Sequence, residues 1–167
     1  LIPTTMIGGA SLEVKRTLIV GFEGLKDFYA HCVADRLNCR GINLQLHDPS
    51  YQEQTTTALA RLMEKQPFRE KIGREIKKQL QGETCVGFPA VLGTRDPVRV
   101  KDKLEEIIGT EVFEIPILPP SIPGKRIFDR FKEWLLQKGV TFLLGYPVLR
   151  ATVTERRCQG IEVYHPP

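Results

Sequence analysis

What most constrains this chain is a repeating alternation of short β-branched runs with amphipathic stretches of helical period. It begins at Thr17-Leu-Ile-Val20, a run closed by Gly21 and Gly24. Leu25, Phe28, Tyr29, Cys32, Val33 and Leu37 then recur at helical spacing, which predicts a helix from Leu25 to Leu37 stopped near Gly41. Ile42, Leu44 and Leu46 alternate with Asn43, Gln45 and His47, the period of two of a half-buried strand, ended by Asp48-Pro49. Strand, tight turn, helix and strand in this order make a βαβ-like unit.

The alternation continues to the last residues. Two helices are expected, from Thr55 to Lys65 and from Phe68 to Leu80, with Pro67 tolerated at a first helical turn because its missing N–H is not needed there. Cys85 to Pro89 reads as a buried strand. Arg95-Asp96-Pro97 introduces a helix that runs through Ile108 and stops at Gly109. Glu111 to Ile115 is a strand, Ser121 to Lys138 a helix, and Thr141 to Leu144, Val148 to Glu155 and Gly160 to Tyr164 are three closing β segments. The expectation is an α/β (or α+β) layered domain, a central β-sheet flanked by helices with a C-terminal β-hairpin, residues 1–167 forming a single domain. At 167 residues the chain can bury a real core.

Charge and cysteine usage narrow the class. The net charge of +4 is mild, and along Phe68 to Gln81 basic residues alternate with Glu as on a solvated helix face. No basic run is interleaved with aromatics, so nucleic-acid binding has little support. Cys32, Cys39, Cys85 and Cys158 stand singly, without a CxxC pair or a His at ligand spacing. That argues against a zinc site or a disulfide framework and for a reducing compartment. No apolar run reaches the roughly 20 residues needed to cross a bilayer.

Few constellations carry chemistry. Gly21-Phe-Glu-Gly24 can be read as a phosphate-cradling turn, but a dinucleotide fingerprint requires G-x-G-x-x-G and an acid after the next strand. Tight-turn glycines are the favoured reading, and Gly8-Gly9 reads as a loop. His31, His47 and His165 have no nucleophile or carboxylate at motif spacing. The Pro-rich corner at Pro116, Pro119, Pro120 and Pro123 leads into Ser121, which can cap the following helix, and into Lys125 and Arg126 in its early turns. Cations there oppose the helix dipole unless an anion is shared with them. Two readings stay open: an anionic ligand, held best by Arg126 through its bidentate guanidinium, or pairing with Asp129, Glu133 or another acid.

Two separated segments, Leu18-Ile-Val-Gly-Phe-Glu-Gly-Leu-Lys-Asp-Phe-Tyr-Ala-His31 and Ile117-Leu-Pro-Pro-Ser-Ile-Pro-Gly-Lys-Arg-Ile127, resemble a family of flavoproteins, the B subunits of anaerobic glycerol-3-phosphate dehydrogenase. The resemblance implies FAD or FMN in the full-length parent, oxidation of glycerol 3-phosphate, and partner subunits in a membrane-associated complex with a quinone-linked acceptor. It implies a cytoplasmic location, with the parent peripheral at the inner face of the cell membrane. Ser121, Lys125 and Arg126 become the substrate-binding candidates. Val148 becomes the cofactor contact, through its backbone, and a hairpin turning near Gln159-Gly160 is expected after it. The chain departs from the family in lacking an N-terminal G-x-G-x-x-G unit and a closing Gly-rich strand. It therefore resembles the middle, substrate-side region of such a flavoprotein, lacking both nucleotide-binding halves, and as an isolated piece is expected to hold no flavin and to be inactive. A non-enzymatic subunit-interaction module is the competing expectation.

Overall fold

A computed structural model describes residues 2–8, 16–46 and 55–164. Gly9, His47, Asp48 and His165 lie outside the described residues. The chain divides into two compact units, Leu1–Asp129 and Arg130–Pro167.

The first unit is built on a four-stranded parallel sheet in the order β2-β1-β3-β4, with β1 Thr17–Phe22, β2 Arg40–Leu44, β3 Cys85–Pro89 and β4 Glu111–Ile115. The two central strands, TLIVGF and CVGFP, are buried at every position. That is why they read as continuous apolar runs, since a parallel strand is covered on both faces. Helix α1 (Ala30–Arg36) packs on β1 and β2, while α3 (Gln66–Gln79) packs on α4 (Pro97–Ile108) and on α2 (Thr56–Met63). The layered α/β architecture expected from the sequence is borne out. Leu18, Ile19, Val86, Phe88 and Val112 from the sheet, with Leu59, Ile76 and Leu104 from the helices, form the core.

Close packing explains one glycine and backbone geometry another. A Cβ on Gly41 of β2 would lie 2.9 Å from Ala34 Cβ and 3.1 Å from the Ala30 carbonyl oxygen, so only glycine lets α1 settle on this strand. Gly109 ends α4 in the left-handed region at φ 88°, with nothing near the position a Cβ would take.

The elements differ from expectation in instructive places. Helix α1 begins at Ala30 rather than Leu25, because Gly24 turns the chain at φ 83° and the Leu25 amide donates to the Phe22 carbonyl. Leu25 and Phe28 are buried all the same. Their spacing reported burial, which a turn supplies as well as a helix. Strand β2 starts two residues earlier than its alternation suggested, in the register Leu18↔Arg40 to Phe22↔Leu44.

The second unit contains the later part of α5 (Ile122–Gln137) and an antiparallel hairpin of β5 (Val148–Thr154) and β6 (Arg157–Val163). Phe131 and Trp134 stack with ring centroids 5.8 Å apart, and the Lys132 ammonium lies over the Phe142 ring. Both hairpin strands are exposed along almost their whole length. Residues 141–144 do not form the expected strand; among the described residues they have no ladder partner, and Gly139 and Gly145 flank them at φ 80° and 83°. The hairpin turns at Glu155-Arg156, not at Gln159-Gly160, with Thr154 paired to Arg157.

Candidate functional site

Parallel strands deliver all their following loops to one edge of the sheet, the edge at which open α/β sheets bind ligands. Here those loops are residues 23–29 after β1, 90–96 after β3 and 116–121 after β4. The Pro-rich corner lies at this edge and opens directly into α5, so the sequence candidates Ser121, Lys125 and Arg126 are brought to it.

Each of the three has a defined partner. Ser121 Oγ accepts from the Gly124 amide at 3.2 Å, the capping role its position suggested. Lys125 Nζ pairs with Asp129 Oδ2 at 2.7 Å, one turn on, with both side chains about two-fifths exposed. Arg126 reaches 12 residues back to β4: Nη1 donates to Glu114 Oε2 at 2.7 Å and Nη2 to Glu114 Oε1 at 2.8 Å. Its Nε donates to the Gly93 carbonyl at 2.8 Å. The bidentate geometry foreseen for Arg126 is present, and a carboxylate of the chain itself occupies it.

Glu114 was not among the sequence candidates, although it is the most unusual side chain in the first unit. Its side chain is fully buried, and besides Arg126 it accepts from Thr5 Oγ1 at 2.5 Å and from the Leu92 amide at 2.8 Å. Each carboxylate oxygen therefore receives two hydrogen bonds, which is what makes a buried charge tolerable. The signal available in the sequence was an acid at an inward position of the strand EVFEI.

The loop after β3 is held a second time, from α2. Glu64 Oε1 accepts from the Thr94 amide at 2.6 Å, the Thr94 hydroxyl at 2.9 Å and the Arg95 amide at 2.8 Å. Partial burial raises the Glu64 pKa, but these hydrogen bonds and the nearby Arg95 charge outweigh it and hold the carboxyl below its usual range. One residue further on, Asp96 Oδ1 caps α4 by accepting from the Arg99 amide at 3.1 Å.

A cavity of about 400 Å³ lies between the loop after β1, α1 and the end of β4, walled by Phe28, Tyr29, Cys32, Val33, Ile115 and Leu118. Its charged lining residue is Asp27. Another of about 320 Å³ sets Lys71 among Glu23 and Glu75. Neither lining has the surplus of positive charge that a phosphate dianion calls for. Val148 opens β5, paired with Val163 and 59% exposed, and His31 is exposed on α1.

A dinucleotide cofactor needs a glycine-rich turn from which helix amides reach its pyrophosphate. The end of β1 and the turn after it carry Gly21 and Gly24 but bury Leu25 and Phe28, and α1, only seven residues long, begins at Ala30. At α4 the helix amides face Asp96, already an anion. Among the described residues neither turn carries the G-x-G-x-x-G spacing of a dinucleotide site.

A family model described as FAD binding domain matches residues 5–157. The chain is 32% identical over 169 residues to a protein of Halobacterium salinarum named as the probable B subunit of anaerobic glycerol-3-phosphate dehydrogenase, covering 91% of this chain and 40% of that one. It is 27% identical over 170 residues to the B subunit of anaerobic glycerol-3-phosphate dehydrogenase from Yersinia pestis, covering 96% and 40%. For the B subunit of the same dehydrogenase from Pectobacterium atrosepticum the identity is 28%, covering 83% and 35%. The resemblance carried by the two sequence segments is thus borne out, and the chain spans about two-fifths of the length of these relatives. No solved structure matches it significantly.

Proposed function

The chain belongs to the FAD binding domain family, and from that premise we propose that it forms part of the B subunit of a flavin-dependent dehydrogenase, one that serves the oxidation of glycerol 3-phosphate to dihydroxyacetone phosphate. The observation that carries this reading is the similarity to relatives of that name along 91% to 96% of the chain. FAD would supply the hydride-accepting chemistry in the full-length protein. It would be held chiefly by segments other than the parallel sheet, with Val148 meeting its adenine end through the backbone. Electrons would pass to a quinone-linked partner among other subunits, the assembly resting peripherally on the inner face of the cell membrane. Among the described residues no helix is long and apolar enough to cross a membrane, in keeping with a peripheral position.

Within that assembly the described sheet stands on the substrate side. The phosphate would meet the first turn of α5, where Lys125 is the available cation. Its surface pair with Asp129 costs little to exchange for a phosphate, whereas Arg126 is committed to Glu114 and holds the turn in place.

The test is kinetic. The full-length protein purified with its partner subunits should carry flavin absorbance and reduce a quinone analogue when given glycerol 3-phosphate, and Lys125→Ala should raise KM while leaving kcat near its original value. Absence of flavin and of glycerol 3-phosphate-dependent reduction overturns the enzymatic reading; an unchanged KM overturns the role of Lys125. The 167-residue chain mixed with FAD or FMN should emerge from gel filtration without flavin bands, and their retention overturns the assignment of the cofactor to other segments.

One observation favours a second reading, a non-enzymatic module that binds other subunits: Leu149, Val153 and Ile161 are each about three-fifths exposed on the hairpin. Leu149→Glu with Val153→Lys separates the two. Lost assembly with unaltered flavin content and turnover of the free subunit supports the interaction module, and lost flavin supports the flavoprotein reading.

A further inference from the structure

Residues 4–8 form a 3-10 turn that touches both faces of β4, the last strand of the sheet. Successive side chains on a strand point to opposite faces, so Glu114 lies on one face and Glu111 and Phe113 on the other. Thr5, almost fully buried, donates its hydroxyl to Glu114. Gly8 lies against the other face, where an added Cβ would come 2.6 Å from Glu111 Oε1 and 3.2 Å from Phe113 Cβ. The turn therefore passes around the outer edge of β4.

The Thr5 hydroxyl bonds to the same Glu114 oxygen that receives Arg126 Nη1, while the other oxygen receives Arg126 Nη2 and the Leu92 amide. Arg126 in turn fixes the Gly93 carbonyl. One buried carboxylate thus joins three segments far apart in sequence: the turn at 4–8, the loop after β3, and the first turns of α5. We propose that the turn is a strap, and that its seating on Glu114 sets the conformation of the Leu92–Gly93 loop and of the start of α5, coupling the outer edge of β4 to the ligand-bearing edge of the sheet. The coupling is carried by the hydroxyl proton. Without the Thr5 hydroxyl, Glu114 Oε2 loses one of its two donors in a site closed to water, and the carboxylate turns to recover a partner, loosening its hold on Leu92 and Arg126.

Hydrogen exchange of the 167-residue chain tests this. Thr5→Val keeps the shape of the side chain and removes the donor; Thr5→Ser keeps the donor and removes a methyl. In Thr5→Val the amides of Met6, Leu92, Gly124 and Lys125 should all exchange faster by about tenfold, the scale of one hydrogen bond to a charged group, while Val20 in β1 is unchanged. Thr5→Ser should restore slow exchange at Leu92, Gly124 and Lys125. Faster exchange confined to Met6, an equal rise at Val20, or failure of Thr5→Ser to restore the distant amides each overturns the proposal.

Discussion

Arg126 and Glu114 meet as a two-pronged ion pair, with nitrogen–oxygen distances of 2.7 and 2.8 Å and the carboxylate wholly removed from water. This pair ties the beginning of α5 to the end of β4. Such a pair contributes little over a well-packed apolar one, but breaking it by removing one partner is expensive, because a charge is left buried alone.

The first prediction follows from that asymmetry. Glu114→Gln should destabilise the chain by about 3–5 kcal/mol, measured as a fall in the urea midpoint. Arg126→Lys should also cost stability, since an ammonium cannot reproduce two parallel bonds and reach the Gly93 carbonyl as well. Arg126→Met combined with Glu114→Leu should cost less than the sum of those same two changes made singly, part of the cost that remains coming from the Leu92 amide and the Thr5 hydroxyl left without their acceptor. A cost for the double replacement equal to the sum of the singles would show that the two side chains act independently.

Glu64 predicts an acid limb in the stability curve. Its folded pKa lies below its unfolded value, near 4.5, so the unfolded state binds the proton more readily. The stabilisation is fully present above that value and is lost as pH falls through the folded pKa. The difference in unfolding free energy between the native chain and Glu64→Gln should therefore be largest above about pH 5 and shrink steadily in more acid solution. A difference that is independent of pH would mean that the hydrogen bonds from Thr94 and Arg95 do not depend on the carboxylate charge.

How much of this could be read beforehand depends on whether the cause was local. Strand β4 and the stop of α4 at Gly109 fell where the sequence placed them, because a β-branched run and a glycine at a helix end act through their own backbone. The partner of Arg126 was hidden because nothing in the spacing of Glu114 and Arg126 brings them together; the parallel sheet and the corner at Pro119 and Pro120 do so. Thr5 is further still, 109 residues from Glu114. The missing strand at 141–144 has the complementary cause: TFLL has the composition of a strand, but a ladder needs a partner and the described residues supply none.

Gly41 and Gly109 should respond to alanine for different reasons. At Gly41 the obstacle is steric, with the Ala30 carbonyl 3.1 Å and Ala34 Cβ 2.9 Å from the new methyl. Gly41→Ala should cost about 1–3 kcal/mol, the usual range for overpacking, and the further change Ala34→Gly should recover part of it. At Gly109 there is open space, and the cost of Gly109→Ala should be the conformational one of placing an L-residue at positive φ, about 1–2 kcal/mol, with no rescue from any neighbour. Thermal unfolding of the three variants distinguishes the two mechanisms.

The hairpin turn offers a stabilising prediction. Glu155 and Arg156 connect β5 to β6 with φ of 50° and 61°, the sign pattern of a two-residue type I′ loop, which matches the twist of the strands but strains side chains other than Asn, Asp or Gly. Neither residue announces a turn, and Gly160, four residues on, draws the eye instead; it lies within β6 opposite Thr152. Replacing Glu155-Arg156 by Asn-Gly removes the strain at both positions without disturbing the pairing of Thr154 with Arg157. The gain should be on the order of 1–2 kcal/mol in hairpin stability, seen as slower amide exchange through Val148–Thr154 and Arg157–Val163 with the parallel sheet unaffected. Gly160→Ala should leave the turn intact, since nothing lies within 4 Å of the added methyl. If Asn-Gly brought no slowing while Gly160→Ala disrupted the hairpin, the turn would have to lie where the sequence first placed it.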